Sequence, residues 1–395
     1  MGPLEDIRVL DLSQVVVGPY CTMLLGDLGA EVIKVERTGR GDDTRSWGPP
    51  FLEGESAYFL SLNRNKKSVT LNLKDPKGLS VLLDLAAKSD IFIQNFKPGT
   101  IDRLGAGYGA VSGVNPKVLY CSISAYGPTG PYKDYAGYDV IVSAIGGMMS
   151  ITGEPDGPPT KVGVAITDVA TGMLAHGSIL AALYARERTG KGQHIELSLL
   201  ETQVAVLINQ ASNYLVAGMV PQRRGTCHPS IVPYRAFQAK DNYVLIGAGN
   251  DSLYQRFCGA VGHPEWAEDP RFATNPDRVQ NRDVLEGLIQ EVIQTRTAAE
   301  WFKTISDAGV PCGPVNTIDK ALQDPQVLHR NMVEEIDHPT AGRIKLTGIP
   351  VKMSETPAEI RLPPPTLGQH TDEVLRNVLG YDEGRIDSLR SAEVI

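Results

Sequence analysis

The sequence lacks the features that mark several large classes of protein. It has no Cys-x-x-Cys pair, and its five cysteines are widely spaced and odd in number, so neither disulfides nor a zinc site are expected. The seven histidines also lack metal-ligand spacing. A net charge of −8 at pH 7 argues against a nucleic-acid-binding protein, which would usually carry a basic face. These absences predict a metal-free protein that does not bind nucleic acid.

Long apolar segments and targeting signals are missing too. No uninterrupted apolar run approaches the ~20 residues that cross a bilayer, so no membrane partner is expected. The first residues show neither an apolar signal region nor an Arg-rich amphipathic presequence. We therefore expect a cytoplasmic protein, or one of the mitochondrial matrix if a presequence is missing from this chain.

The motifs of common nucleotide enzymes and hydrolases are absent as well. Glu36 ends an opening strand–helix–strand unit, as in dinucleotide sites, but the loop at 13–19 lacks the Gly-x-Gly-x-x-Gly that such sites need. The chain has neither a Walker A lysine loop nor a Gly-x-Ser-x-Gly elbow. The usual nucleotide cofactors and serine hydrolase chemistry are therefore disfavoured.

The first half of the chain does contain a regular alternation of strands and helices. This alternation predicts a parallel sheet covered by helices on both faces. The predicted strands are Ile7–Asp11, Glu31–Val35, Ile91–Gln94, Val118–Ser124 and His194–Ser198. The predicted helices are Pro19–Leu28, Asp75–Lys88, Asp139–Met149 and Leu200–Val216.

The length of 395 residues exceeds one ordinary core, so two domains are expected. From about residue 221 the pattern changes to two antiparallel strands, Tyr234–Gln238 and Tyr243–Ile246, followed by helices. We expect an α/β fold in which a Rossmann-like parallel sheet forms a large domain and a smaller α+β domain is inserted. The predicted bounds are 1–200 for the first segment of the large domain, 221–325 for the small domain and 326–395 for the return segment.

One carboxylate, that of Asp168, stands between an apolar run and a long helical pattern. Val162–Ile166 has a strand-like composition, and apolar spacing predicts a helix from Val169 to Arg186. Asp168 is then expected at the N-cap, where free N–H groups and the helix dipole keep a carboxylate ionised. Such a carboxylate can be a nucleophile, although most Asp residues at this position only cap the helix. The residues alone leave both interpretations open.

Cations and glycines gather beside several predicted strands. Glu36–Arg45 follows one strand, Asn63–Lys67 precedes another, and Arg103 lies beyond a third. Loops that follow parallel strands meet at one edge of the sheet, where Arg and Lys suit a phosphorylated ligand, although each charge alone is also typical of a solvated surface. Gly247–Asn250 follows an apolar strand and fits either a lid or a tight turn.

Ordered motifs run along nearly the whole chain. They are Val9–Leu12, Gly18-Pro19, Gly26–Glu36, Gly41-Asp42, Leu62–Ser68, Ala136–Asp139, Thr167-Asp168, His228-Pro229, Pro233-Tyr234 and Leu367–Thr371. In these motifs the chain resembles the class III CoA-transferases, the family of formyl-CoA transferase and the carnitine CoA-transferases. Arg224–Thr226, Ser230–Tyr234 and Pro363–Pro365 resemble the subgroup that exchanges CoA between succinate and hydroxymethylglutarate or glutarate.

The resemblance implies that Asp168 is a nucleophile. Its carboxylate would attack an acyl-CoA thioester to form an aspartyl anhydride, which the freed CoA thiolate would convert to an aspartyl-CoA thioester before CoA passes to the acceptor. Both intermediates react with water. The family's pattern therefore assigns a covering loop to Gly247, Ala248, Gly249 and Asn250, and places Tyr138 in the catalytic site.

The resemblance also implies the partners of the chain. CoA thioesters are the substrates, no cofactor or metal is permanently bound, and two copies of the chain form an interlocked homodimer. The positions that match the family's CoA contacts are Val16, Val17, Arg37, Leu71, Lys74, Asn95, Phe96, Arg103 and Lys133.

Two other functions fit parts of the pattern. An α-methylacyl-CoA racemase shares the fold, but it pairs the aspartate with a His where this chain has Tyr138, whose ordinary pKa near ~10 makes it a poor substitute. Racemases also have a Glu where this chain has Asn250. A non-catalytic acyl-CoA-binding protein would keep the CoA contacts without needing Asp168.

The acceptor acid is less well defined by the sequence. The subgroup implies succinyl-CoA as donor and glutarate or 3-hydroxy-3-methylglutarate as acceptor, with oxalate, citramalate, malate and carnitine left open. A second carboxylate on the acceptor needs a cation. The candidates are Arg45, Arg64, Arg223, Arg224 and Arg235.

Overall fold

The computed structural model describes residues 2–395. Its strands in chain order are β1 (Arg8–Asp11), β2 (Glu31–Glu36), β3 (Phe51–Leu52), β4 (Glu55–Ser56), β5 (Lys66–Thr70), β6 (Ile91–Gln94), β7 (Leu119–Ser124), β8 (Gln193–Ser198), β9 (Tyr234–Gln238), β10 (Tyr243–Gly247), β11 (Cys312–Pro314), β12 (Val333–His338) and β13 (Gly342–Thr347).

The helices alternate with these strands. They are α1 (Val17–Asp27), α2 (Ala57–Leu60), α3 (Pro76–Ala87), α4 (Thr100–Arg103), α5 (Tyr108–Val114), α6 (Asp139–Ile145), α7 (Met148–Ile151), α8 (Ile166–Thr189), α9 (Leu199–Ala205), α10 (Ile208–Ala217), α11 (Asp251–Val261), α12 (Asn275–Gln280), α13 (Arg282–Ile293), α14 (Ala298–Asp307), α15 (Ile318–Leu322), α16 (Pro325–His329), α17 (Thr371–Leu379) and α18 (Glu383–Ser391). Short 3₁₀ helices lie at Asp43–Ser46 and Pro264–Ala267.

The chain forms two compact units. The first contains residues 2–148, 162–216 and 325–395, and the second contains residues 149–161 and 217–324. The predicted domain bounds differ from these by short segments and stay a prediction.

The first unit is built on a six-stranded sheet in which every neighbouring pair is parallel. The strand order is β5-β2-β1-β6-β7-β8. The predicted α/β fold with a parallel central sheet is confirmed. The chain leads from β1 to β2 on one side and from β6 to β7 on the other, so the loops that follow β1 and β6 leave in opposite directions. This reversal opens a crevice at the carboxyl ends of the strands.

Apolar side chains cover both faces of this sheet, as the two-residue period of a strand requires. Along β1, Val9 packs in one core with residues of α1 and α8, whereas Leu10 packs in the other with residues of α3, α17 and α18. The last two helices come from the C-terminal end of the chain. That end therefore completes one helical layer of the first unit.

Two predicted helices are each broken into two. The expected helix Asp139–Met149 ends at Ile145, because Gly147 adopts a left-handed φ of 88°, which ends the helix locally. The expected helix Leu200–Val216 is interrupted before Ile208, which has a φ of 36°. The second break involves no Gly or Pro, so the usual sequence signals could not predict it.

The second unit has its own sheet and core. The antiparallel order β11-β10-β9 pairs the two strands predicted from the sequence with a third, short strand. Helices α11, α13 and α14 cover this sheet and bury Phe237, Phe257 and Trp301. The indole N–H of Trp301 donates to the carbonyl of Ile293 at 2.6 Å, so this large side chain is buried without an unmet donor.

Helix α8 packs against the sheet of the first unit and contains 24 residues. Among residues 2–395 it is also the one helix long and apolar enough to cross a membrane by length and composition. The sequence analysis considered only uninterrupted apolar runs, and this helix is not one because Asp168, Thr171 and His176 interrupt it. A single helix of this kind, packed here against α1, is weak evidence for a membrane span.

Candidate active site

The main cavity of the first unit lies in the crevice at the carboxyl ends of the parallel strands. It has a volume of about 440 Å³. Its walls come from the loop after β1, the loops after β2, β6 and β7, and the start of α8. Residues that line it and that the sequence analysis had selected are Val16, Val17, Arg37, Asn95, Phe96, Tyr138 and Asp168.

Asp168 reaches the cavity from the first turn of α8 rather than from its N-cap. Helix α8 begins at Ile166, and Ala165 is the N-cap without a side-chain cap. The predicted strand at Val162–Ile166 is wrong, since this segment is irregular up to the helix. The predicted helix start at Val169 is also wrong, because the first turn of α8 already includes Thr167 and Asp168.

Asp139 performs the capping that the sequence analysis assigned to Asp168. Its Oδ1 accepts the backbone N–H of Thr167 at 2.8 Å and that of Asp168 at 3.3 Å. These are two of the free donors at the start of α8. The side chain of Asp168 is thereby free to face the cavity.

The carboxyl of Asp168 is not held in its ionised form. Only 7% of the residue is exposed. Burial, and secondly the negative charge of Asp139, raise the pKa of Asp168 from an ordinary 3.8 to about 7. The expectation that the helix terminus keeps this group fully ionised is therefore wrong, because desolvation outweighs the helix dipole. A carboxyl with this pKa titrates near neutral pH and is a candidate for chemistry.

Two tyrosines lie around this carboxyl. Tyr138 is the N-cap of α6, lines the cavity and is 63% exposed. The pKa of Tyr58 is raised by burial and then by the negative charges of Asp168 and Asp139. Tyr58 was not selected from the sequence, because only the fold brings α2 towards the start of α8.

A second cavity in the same unit shares three residues with the first. It has a volume of about 410 Å³ and shares Gln14, Arg37 and Phe96 with the main cavity. Leu71 and Lys74, both selected from the sequence, line it. Together the two cavities bring seven of the nine predicted CoA contacts to one edge of the sheet.

The other two predicted contacts, Arg103 and Lys133, line neither cavity. Arg103 is exposed at the end of α4 and donates to Thr100 Oγ1 at 3.1 Å. Lys133 is exposed in the turn before Tyr135. Both positions were selected by resemblance, and their role in binding stays a prediction.

The predicted covering loop belongs to the second unit. Gly247 donates its N–H to the carbonyl of Pro311 at 2.9 Å, and Ala248 donates to that of Pro233 at 3.0 Å. Asn250 caps α11 by accepting the N–H of Leu253 at 2.9 Å. An added Cβ at Gly249 would meet nothing within 4 Å. The backbone at Gly249 therefore faces open space, and the covering role stays a prediction.

Three of the five candidate arginines for an acceptor carboxylate are already paired with protein carboxylates. Arg45 pairs with Glu36 at 2.7 Å, Arg64 with Asp27 at 2.7 Å and Arg235 with Glu286 at 2.8 Å. Arg223 donates to the carbonyls of Glu154 and Gly157, and Arg224 is exposed. An arginine that is paired in this way is a poor binder for a second anion.

The sequence analysis missed several residues that line the main cavity. They are Gln14, Val15, Asp43, Lys97, Ile123, Ser124, Ala125, Gly137 and Leu199. A usable signal existed for some of them, because Ser124 ends a predicted strand of the parallel sheet and Lys97 lies in the loop just after another. Lys97 is exposed on the cavity wall. Across residues 2–395, no three His, Cys, Asp or Glu side chains are grouped so as to hold a metal ion.

The comparisons with known proteins decide the family. CoA-transferase family III matches residues 4–371 of the chain. The chain belongs to this family. This family III CoA-transferase is 49% identical over 395 residues to the mouse protein named succinyl-CoA:glutarate CoA-transferase, a match that spans 100% of this chain and 91% of the mouse protein. It is 47% identical over 393 residues to the human protein of that name, with 100% and 90% covered.

A solved structure agrees with the fold of this family III CoA-transferase. A CAIB/BAIF family protein from Brucella suis superimposes with a TM-score of 0.86 at 39% sequence identity. The superposition covers 95% of this chain and 99% of that chain. The enzymatic class expected from the sequence, a class III CoA-transferase, is confirmed by the family match and these relatives.

Proposed function

We propose that this family III CoA-transferase moves CoA from succinyl-CoA to glutarate, with Asp168 as the nucleophile. The observation that carries the proposal is the buried Asp168 carboxyl on the wall of the main cavity, in a chain 49% identical to an enzyme named for these two substrates. In such a reaction the one reactive side chain that the protein must supply is a carboxylate that can accept and release acyl groups.

The proposed reaction proceeds through covalent intermediates on Asp168. The ionised carboxylate attacks the thioester carbon of succinyl-CoA, which forms a mixed anhydride and expels the CoA thiolate. The thiolate then attacks the aspartyl carbonyl, releasing succinate and leaving an aspartyl-CoA thioester. Glutarate repeats these two steps in reverse order, so glutaryl-CoA leaves and the carboxylate is restored.

The two cavities divide the CoA molecule between them in this proposal. Lys74 and Leu71 in the second cavity would receive the nucleotide end, where a cation and an apolar wall suit phosphate and adenine. Arg37 and Phe96 line both cavities and would contact the CoA chain between them. The thioester end would then lie in the main cavity, beside Asp168.

Lys97 is the proposed partner of the acceptor's second carboxylate. It lines the main cavity on an exposed loop after β6, whereas Arg37 on the opposite loop is already paired with Asp43. An ammonium group on a flexible stem can follow acids of different chain length. In the first unit Lys97 thereby replaces the paired Arg45 and Arg64 as the candidate.

A second copy of the chain is proposed to complete the enzyme. None of the residues of helix α10 is buried, and its apolar side chains Ile208, Leu215 and Val216 are 72%, 79% and 83% exposed. Apolar exposure on this scale is typical of an interface. Size-exclusion chromatography with light scattering should give twice the 42.7 kDa of the chain, and a monomer would contradict the homodimer.

The first experiment mixes the protein with succinyl-CoA and a panel of acids, and separates the acyl-CoA products by mass-resolved chromatography. The panel contains glutarate, 3-hydroxy-3-methylglutarate, oxalate, citramalate, malate and carnitine. Glutaryl-CoA as the main product supports the proposal, and a different acyl-CoA changes the acceptor. Absence of any exchange contradicts the transferase function. The Asp168→Ala variant should lose exchange, which separates a transferase from a protein that only binds acyl-CoA.

Isotope transfer tests the covalent path. Glutarate labelled with ¹⁸O in its carboxylates should leave one labelled oxygen in Asp168 at the end of each turnover. About half of the succinate formed in the next turnover should carry that oxygen, because either oxygen of the Asp168 carboxylate can attack succinyl-CoA. Succinate that stays unlabelled over many turnovers would exclude the anhydride path.

The raised pKa of Asp168 is the one observation that favours the racemase alternative, because a group that titrates near 7 can exchange protons. Racemisation also needs a second acid or base, and Tyr138 stands at the partner position. Incubation of a 2-methylacyl-CoA in D₂O tests this directly. Deuterium at the α-carbon without acyl exchange would favour the racemase.

A further inference from the structure

The loop after β1 contains a strained residue on the wall of the main cavity. Val15 has a φ of 70°, in the left-handed region. A β-branched side chain at such an angle is a genuine outlier, because its Cβ substituents crowd the backbone. Strain of this kind persists only where the surroundings hold the residue in place, and it gathers at functional sites.

Side chains from neighbouring strand ends hold this loop through its backbone. The N–H of Val15 donates to both carboxylate oxygens of Asp42, at 3.2 and 3.3 Å. The N–H of Gln14 donates to Asn95 Oδ1 at 2.9 Å, and Asn95 Nδ2 donates back to the Gln14 carbonyl at 2.8 Å. Lys34 Nζ donates to the carbonyl of Ser13 at 2.8 Å. Three consecutive residues are therefore fixed by groups outside the loop.

Asp42 is itself held firmly. It is 1% exposed, and its Oδ2 accepts from the fully buried Lys34 Nζ at 2.9 Å. Its Oδ1 accepts from the N–H of Thr44 at 3.0 Å and from the Thr44 hydroxyl at 2.8 Å. These donors outweigh the effect of burial and lower the pKa of Asp42 to about 2. The carboxylate is therefore an acceptor for Val15 at any pH where the enzyme works.

The fixed loop leads directly to the wall beside Asp168. Val16 and Val17 follow Val15 and line the main cavity with Asp168. Gly172 lies four residues after Asp168, on the same face of α8. A Cβ at Gly172 would lie 2.8 Å from the Val17 carbonyl oxygen, so the backbone at the start of α1 touches the face of α8 that carries Asp168. A change in φ at Val15 would move this contact.

From this geometry we infer that Asp42 is a positioning residue for the transfer reaction: by holding the N–H of Val15, it keeps Val15 left-handed and so fixes Val16 and Val17 against the helix of Asp168. The inference rests on the proposed function. Asp42 touches no substrate in this role and acts through the loop. Without this acceptor Val15 relaxes to an extended angle, which displaces Val16 and Val17 from their positions against α8.

The test combines two substitutions. Asp42→Ala removes both oxygens that accept the N–H of Val15, so kcat for succinyl-CoA to glutarate transfer should fall by about 100-fold, the size expected for a small misplacement of reacting groups. The KM for succinyl-CoA should change less than kcat, since Lys74 and Leu71, which would receive the nucleotide end of CoA, lie in the second cavity. Adding Val15→Gly should restore most of kcat, because glycine adopts this φ without strain.

A matched control separates positioning from stability. Thr44→Val removes one donor to Asp42 without touching its bond to Val15, so it should lower the melting temperature while kcat stays within about twofold of wild type. All rates are compared at a temperature where each variant is folded. An Asp42→Ala variant with unchanged kcat, or a double variant with no recovery of kcat, would overturn the inference.

A measurement on the wild-type protein keeps the inference testable if Asp42→Ala does not fold. The Val15 N–H, bonded to a buried carboxylate, should exchange with deuterium as slowly as the N–H groups of β1, with or without CoA. Exchange at the rate of an open loop would refute the inference. This readout does not depend on activity: a wild-type protein that transfers no CoA would contradict the proposed function and leave the loop result standing.

Discussion

Asp168→Asn should make the unliganded protein more stable, and the gain should grow with pH. The pKa of Asp168 is about 7 in the folded chain against an ordinary 3.8, because the carboxyl is buried and faces the charge of Asp139. Between these two values the unfolded chain loses the proton and the folded chain keeps it. Stability of the wild type therefore falls as pH rises through this range. The neutral Asn side chain does not carry this cost.

The size of the effect follows from the difference between the two pKa values. At about 1.4 kcal/mol for each factor of ten, a pKa of about 7 instead of 3.8 corresponds to about 4 kcal/mol once the pH exceeds both values. Part of that cost is already present at about pH 4.5. The stability difference between the variant and the wild type should therefore widen by about 3 kcal/mol between about pH 4.5 and about pH 8.

Paired urea unfolding curves of the two proteins at several pH values measure this difference, because contributions from other groups cancel between them. Asp139→Asn supplies a control: it removes the neighbouring charge while its amide oxygen can still cap α8, so the gain from Asp168→Asn should shrink in that background. A difference between variant and wild type that does not change with pH would refute the reasoning. It would mean that Asp168 is already ionised in the folded protein.

The proposed roles of other residues predict three further results. The kcat/KM for succinyl-CoA should rise as pH increases through about 7, since the ionised form of Asp168 is the nucleophile, and Asp139→Asn should move the midpoint of the pH profile to lower pH. Lys97→Gln should raise the KM for glutarate roughly tenfold, as expected for the loss of one hydrogen bond to a charged group, whereas Lys88→Gln, on an exposed helix end, should not change it in steady-state assays. Arg64→Ala should lower the free energy of unfolding by about 3–5 kcal/mol in urea titrations, because it leaves the buried carboxylate of Asp27 without its partner.

The sequence predicted the fold where local patterns and the fold agree. The parallel sheet followed from the alternation of short apolar strands and helices, and the Asp75-Pro76 pair marked the start of α3, where Asp75 caps the helix. The sequence also placed the cation-rich loop Glu36–Arg45, which contains Arg37 of the main cavity, at one edge of the sheet. These results needed only residue periods and the rule that parallel strands end on the same side.

The state of Asp168 could not be predicted in the same way. An Asp near a helix start favours an N-cap, but Asp139, 29 positions earlier in the chain, caps α8 instead. The charge on Asp168 is then decided by burial and by a carboxylate from another helix, which are properties of tertiary structure. The same limit applies to Arg45 and Arg64, whose carboxylate partners in the fold remove them from the set of free cations.

The two hydrogen bonds between the side-chain amide of Asn95 and the backbone of Gln14 affect how the enzyme distinguishes its substrates. They tie the loop after β1 to the loop after β6, on the two sides of the crevice, so the width of the crevice is set before any ligand arrives. Little binding free energy is then lost in ordering this part of the wall, and the wall does not widen to admit a bulkier acyl chain. Discrimination among acids of similar charge then depends on whether their shape fits a crevice whose width these two hydrogen bonds fix.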